Sequence, residues 1–209
     1  FPGHWLYYAG ARILSEVPAE SGVTEIKVDN PRLFRTDMGR YGNDNEDIGL
    51  CMLDESGEPD WSRSEQVKLV SVNRQKGTIR VKRGRYGTQP HRFPGGEAYA
   101  AAHCTEGPWG GRDKNRAGSH LMWLYNYSTG CPRDARGRTC ADIFARQLGR
   151  YFSADGRLAA FDGLEFDVMW NHPHPHSSGG RKADCNADGE GDEGRIDGRN
   201  VYGIGVFRF

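Results

Sequence analysis

The residues best suited to chemistry lie in Phe161-Asp162-Gly163-Leu164-Glu165-Phe166-Asp167-Val168-Met169-Trp170. On a strand, Glu165 and Asp167 share one face with Cα atoms roughly 6.6 Å apart, while Leu164, Phe166 and Val168 share the other. Two acids on the inward face of a buried strand are costly unless they are solvated, paired or used. Glycoside hydrolysis is one such use, because it needs two carboxyl groups: one protonated as acid, the other acting as nucleophile or base. The catalytic candidates are therefore Asp167 as nucleophile or transition-state stabiliser, Glu165 as proton donor, and Asp162 beside them. The alternative is structural: Asp162 caps a turn with Gly163, and the other two acids bind arginine.

A second motif is Asp184-Cys185-Asn186-Ala187-Asp188-Gly189-Glu190-Gly191-Asp192. Oxygen-bearing side chains at positions one, three, five and nine, with glycine at six, reproduce the first part of a calcium loop of the EF-hand type. Asp184, Asn186, Asp188 and Asp192 are the candidate calcium ligands. Arg195 stands where the bidentate glutamate of position twelve belongs, and Glu193 or Asp197 is placed to substitute. The pattern also resembles dockerin and thrombospondin-type loops. A solvated acidic loop without an ion is the alternative.

Other groups carry less. His172-Pro-His-Pro-His176 has prolines that spread its imidazoles, which favours a rigid solvated loop over a metal site. Trp109, Trp123 and Trp170 are candidates for stacking on sugar rings, although a strand tryptophan more often belongs to the core. Asn126 and Ser128, at the end of the run Leu121-Met-Trp-Leu-Tyr-Asn-Tyr127, are candidate substrate contacts together with Trp170.

These groups need elements to position them. Residues 13–103 have a β texture: Thr24-Glu-Ile-Lys-Val28 alternates with period two, and Val67-Lys-Leu-Val-Ser-Val72 and Thr78-Ile-Arg-Val-Lys82 flank a turn at Asn73-Arg-Gln-Lys-Gly77. After residue 103 the texture changes. The run from Leu121 reads as a strand covered on both faces. Thr139 is an N-cap for a helix from residue 140 to about 152, and the segment bearing Asp167 reads as the next strand. Strand, helix, strand implies a βαβ unit and a parallel sheet. The expected fold is thus α/β: residues 1–12 as a first barrel strand, 13–103 as an inserted antiparallel β domain, and 104–209 as the N-terminal part of a (β/α) barrel. Without the insert roughly 120 residues remain, about half of what a complete (β/α)8 barrel needs, so the reading is of a barrel fragment.

The stretch Asp162-Gly163-x-Glu165-x-Asp167 resembles the Asp-Gly-x-Asp-x-Asp-x-Glu strand of chitinase-like glycoside hydrolases and, more broadly, the Asp-Gly-(hydrophobic)-Asp strand of bacterial glycosidase-like barrels. Chitinase-type enzymes carry their acid where this chain has Met169, and a thioether cannot donate a proton. A second stretch, Ile79 to Thr88 followed by His91 and Gly95-Gly96, resembles the β modules of phage tail proteins and of the same glycosidase-like proteins. It implies an accessory β domain and no activity.

Composition bounds the rest. The 209 residues carry 28 basic and 28 acidic side chains, so net charge is zero, which argues against nucleic acid or an anionic membrane as the main partner. Only 36% of residues are hydrophobic, but five tryptophans, nine tyrosines and nine phenylalanines suffice for a core. No apolar run reaches the roughly 18 residues of a membrane span. Five cysteines without a CxxC pair fit an exported protein, secreted or at the cell surface, and Cys131 and Cys140 bracket a polar loop that suits a disulfide. Two functions follow: an exported glycoside hydrolase, or its N-terminal fragment, acting on a polysaccharide; or a non-catalytic, calcium-stabilised module that binds glycans or self-associates.

Overall fold

The computed structural model describes residues 1–36, 45–106, 121–165, 181–192, 195–196 and 199–200. In chain order its strands are β1 (Tyr7–Tyr8), β2 (Ala11–Ile13), β3 (Gly22–Lys27), β4 (Asp47–Leu53), β5 (Pro59–Asn73), β6 (Thr78–Arg83), β7 (Ala98–Ala102), β8 (Thr105–Glu106), β9 (Met122–Trp123) and β10 (Ala183–Asp184). The helix α1 spans Cys140–Tyr151, and two short strands, β11 (Arg195–Ile196) and β12 (Arg199–Asn200), pair with each other.

One sheet dominates, in the order β2-β7-β4-β5-β6-β3, and every neighbouring pair in it is antiparallel. The sheet curls until its two edges touch: Ile13 bridges Val28, the Leu14 amide donates to the Lys27 carbonyl at 2.7 Å, and the Asp29 amide donates to the Arg12 carbonyl at 3.1 Å. Joining the edges satisfies backbone groups that an open sheet would leave bare. The hairpin between β5 and β6 turns at residues 74–77, as the alternation predicts, with Asn73 Oδ1 accepting from the Gln75 and Lys76 amides and Gly77 at φ 69°.

Period two explains the packing. Ile26, Ile48, Leu50, Val67, Leu69, Ile79 and Val81 fill the concave side with Phe93 and Ile13. The central strands are covered on the other side as well, where Tyr7, Cys51, Trp61, Tyr99 and Ala101 form a second cluster. Gly49 is required there: a Cβ would lie 2.5 Å from the Trp61 ring and 2.8 Å from Tyr7. A buried ion pair joins the end of β6 to β5. Arg83 Nη2 donates to Glu65 Oε2 at 2.6 Å and Arg83 Nε to Glu65 Oε1 at 2.9 Å, while Glu65 also accepts the Gly84 and His91 amides. The pair thereby fastens the turn after β6 onto β5.

The α/β expectation is overturned. The chain is mostly β, all strand pairings among the described residues are antiparallel, and α1 is the one α-helix there. This is not a (β/α) barrel or a fragment of one, so the resemblance to glycosidase-like barrels does not extend to the fold. The error has a local cause. The run from Leu121 is not a strand buried on both faces: β9 is two residues long and pairs antiparallel with β8, and Met122 and Tyr125 face solvent. The helix forms where its spacing predicts, with a reciprocal cap in which Thr139 Oγ1 accepts the Asp142 amide and Asp142 accepts the Thr139 amide. It is a half-buried appendage rather than the crossover of a βαβ unit.

The Cys131–Cys140 disulfide is also overturned. All five cysteines are free and buried. The Cys140 amide donates to Cys131 Sγ at 3.5 Å, so that sulfur serves as an acceptor at the start of α1. Burial pushes the Cys131 thiol up to about 11 and the Cys140 thiol up to about 12, which keeps both protonated.

Candidate functional site

Three short extended segments meet beside the main sheet. Trp5 bridges Tyr125, Tyr7 bridges His103, and Thr105 pairs with Trp123. Successive side chains on a strand alternate between faces, so Trp5 and Tyr7, and Trp123, Tyr125 and Tyr127, form two aromatic series of spacing two. Their rings meet. Trp5 stacks on Tyr125 with centroids 4.5 Å apart at 17°, and stands edge-on to Trp123 at 5.3 Å. Tyr127 lies 5.9 Å beyond Tyr125, and Tyr86 stands edge-on to Trp123 at 5.0 Å. Tyr125 is 51% exposed, while the residues behind it are progressively more buried.

Two buried polar groups hold this band from beneath. Asp47 accepts from Trp123 Nε1 at 2.7 Å and from the Tyr86 hydroxyl, and pairs with Lys68 Nζ at 3.1 Å. Its carboxylate therefore fixes two rings of the band through charge-assisted bonds. His103 is sandwiched between Trp123, at 3.8 Å and 12°, and Tyr7, at 4.4 Å and 37°. The Tyr7 hydroxyl donates to the Pro2 carbonyl, so it accepts from Gln66 Nε2. Gln66 Oε1 is then left facing His103 Nε2 at 2.7 Å, and that nitrogen must carry the proton. Burial pushes the imidazole well below its usual range and holds it neutral. With its ring covered and no exposure, His103 is a positioning group, not an acid or base in contact with a ligand.

The turn carrying Tyr86 is strained. Tyr86 has φ 54°, the left-handed region that a bulky side chain rarely occupies, between Gly84 at 63° and Gly87 at 77°. The turn is held by the Glu65–Arg83 pair on one side. On the other, Thr88 Oγ1 accepts the Gln66 amide at 3.0 Å.

The residues singled out from sequence are distributed differently. Asn126 and Ser128 are buried and serve structure: Asn126 Nδ2 donates to the Cys185 carbonyl at 2.8 Å, and Ser128 Oγ donates to Asn126 Oδ1 at 2.6 Å. Asp162 and Glu165 are exposed on an irregular segment, and Asp167 and Trp170 lie outside the described residues. Trp109 and the histidine run from His172 lie outside them as well.

Asn126 nonetheless touches the acidic loop, which begins on β10 against β1. Asp184 Oδ2 accepts the Gly189 amide at 2.9 Å, Asp192 Oδ2 the Cys185 amide at 2.6 Å, and Asp188 Oδ1 the Glu190 amide at 2.8 Å. Asn186 Nδ2 donates to Asp188 Oδ2 at 2.7 Å. Burial, with Asp188 and Asp192 adding repulsion, pushes the Asp184 carboxyl up to about 7. Each of the three aspartates thus caps an amide of the loop itself, while Asp184 Oδ1 is buried without a partner among the described residues. Among the described residues no group of three or more histidine, cysteine, aspartate or glutamate side chains is placed to hold a metal ion, which corrects the expectation of a preformed metal-binding group.

Sequence reading missed Asp47, His103, Tyr86 and Tyr125. The available signal was the alternation of aromatics in Trp5-x-Tyr7 and Trp123-x-Tyr125-x-Tyr127, of which only Trp123 stood out as a stacking candidate. Among the described residues no helix is long and apolar enough to cross a membrane. Compared with known proteins, the chain matches no family model and no curated protein.

Proposed function

We propose that the protein is a non-catalytic glycan-binding module that docks sugar rings on the aromatic band running from Tyr86 through Trp123 and Trp5 to Tyr125 and Tyr127. The observation that carries this reading is the half-exposed Tyr125 ring stacked flat on Trp5. A rigid pair of parallel rings with one open face is what the C–H faces of a pyranose pack against, and the pair loses little freedom on binding because it is already fixed. Polar groups beneath the band lock ring orientation, as binding sites generally arrange a few placed polar groups around apolar walls. Hydrolysis is not part of the proposal, since the case for a catalytic acid pair rested on a parallel barrel that is not the fold.

Isothermal titration calorimetry with soluble polysaccharides tests the reading on the intact chain and on Tyr125→Ala. Tyr125 is a surface residue, so the variant should fold, and binding should weaken about tenfold, the loss of one well-placed aromatic contact. Absence of polysaccharide binding by the unaltered protein, or equal affinity of the variant, would overturn it.

A further inference from the structure

We infer that the glycan taken by this surface is acidic, with a carboxylate-bearing sugar unit placed so that its charge meets Arg85 at one end of the aromatic band. The inference rests on the glycan-binding reading and sharpens it. Arg85 sits on the turn after β6, its guanidinium 5.8 Å from the centroid of the Tyr86 ring. Tyr86 in turn contacts Trp123, and Trp123 contacts Trp5. The charge is therefore continuous with the band, ring by ring.

What distinguishes Arg85 is its lack of an acceptor. Its Nε is sealed from solvent without a hydrogen-bond partner, and no carboxylate among the described residues pairs with it. Two neighbouring cations are committed to buried acids: Lys68 to Asp47, and Arg83 to Glu65. Each of those acids is neutralised by its own partner, so neither is left to pair with the Arg85 guanidinium. With Nε sealed, the outer guanidinium nitrogens are the ones open to a ligand, and their planar fork matches the two oxygens of a carboxylate. The backbone pays for the placement with a left-handed Tyr86, strain of the kind that gathers at binding sites. A neutral sugar would leave the guanidinium unmatched; a uronic acid would not.

The test compares uronic acid polymers (polygalacturonate, alginate and hyaluronate) with the same polymers after methyl esterification, which removes the charge and keeps the rings. Calorimetry or affinity electrophoresis is run on the full chain, on Arg85→Gln and on Arg85→Lys. The intact protein should prefer at least one free acid over its ester by about tenfold or more, the scale of a charge-assisted bidentate contact. Arg85→Gln should lose that preference while keeping its affinity for the ester, and Arg85→Lys should keep only part of it. High salt should weaken binding of the acid and leave the ester unchanged. Among the described residues the Arg85 side chain makes no hydrogen bond or ion pair, so an unchanged unfolding midpoint is expected for both variants. Equal affinity for acid and ester, or a preference that survives Arg85→Gln, overturns the inference while the glycan-binding reading stands. Binding of neutral polysaccharides alone does the same. Failure to bind any polysaccharide, acidic or neutral, overturns both.

Discussion

Trp123 Nε1 donates to the buried Asp47 carboxylate at 2.7 Å, across 76 residues of sequence. This bond joins the start of the central strand β4 to the short strand β9 and makes the sheet responsible for the orientation of the aromatic band. The same carboxylate takes the Tyr86 hydroxyl and Lys68, so one acid sets three side chains that come from separate elements.

Replacing Asp47 by alanine should therefore be severe. It strips the acceptor from the Trp123 indole, the Tyr86 hydroxyl and the Lys68 ammonium at once, and losing one partner of a buried charged pair costs about 3–5 kcal/mol. Urea unfolding followed by tryptophan fluorescence measures the loss. A shift under about 1 kcal/mol would show that the network does not carry the packing.

The buried Glu65–Arg83 pair makes a related prediction with a different local outcome. Both side chains are fully buried, and Glu65 holds the amides of Gly84 and His91 as well. Glu65→Ala should cost about 3–5 kcal/mol and release the turn that carries Arg85 and Tyr86. Hydrogen exchange should show lost protection at the Gly84 and His91 amides before β5 and β6 open.

The contribution of His103 to stability should fall as the medium is acidified through the histidine range, while Asp184, whose carboxyl is pushed up to about 7, takes up a proton in the folded chain and works in the opposite direction. The folded-state pKa of His103 is depressed by burial well below the unfolded value near 6.5, so its contribution is fully present above about pH 6.5 and is lost as pH falls toward the folded pKa. His4, also depressed chiefly by burial, adds the same sign. His103→Phe keeps a flat ring between Tyr7 and Trp123 but removes the titrating group and the donor to Gln66. The variant should be less stable at pH 7.5 by about 1–3 kcal/mol, the cost of leaving Gln66 Oε1 unpaired, and should decline less between pH 7 and 5. Denaturation at a series of pH values checks both features.

Thr139→Ala should cost about 1 kcal/mol, since it removes the acceptor for the Asp142 amide at the start of α1. The loss should be confined to the helix, which is only half-buried. Exchange rates along residues 140–151 should rise while those of the β5–β6 hairpin stay unchanged.

Local signals were legible in the sequence and long-range ones were not. Period-two alternation around Asn73–Gly77 and the cap at Thr139 both correspond to elements in the structure, because each depends on a few adjacent residues. The parallel barrel failed because it joined the helix to two flanking segments by a topological rule. Strand β9 instead pairs with β8 in an antiparallel ladder, and apolar residues from Leu121 to Tyr127 serve a partly exposed aromatic face rather than a doubly covered strand. The site was hidden for a similar reason. Asp47, His103 and Gln66 are unremarkable in sequence, and their roles arise only where β4, β5 and β7 converge on Trp5 and Trp123. The acidic loop has a spacing that suits calcium, and in the structure its carboxylates cap the loop's own amides, a use the spacing alone does not reveal.

The central claim is that sugar rings dock on the Trp5–Tyr125 stack, and aromatic carbon–proton NMR spectra of the intact protein during titration with a bound polysaccharide fragment test it most directly. The ring signals of Tyr125, Tyr127 and Trp5 should shift first and most, Trp123 and Tyr86 less, and the ring of Phe34, buried in the sheet core, not at all. Saturating shifts that leave Trp5 and Tyr125 unmoved, or no shift at any fragment concentration, would contradict it.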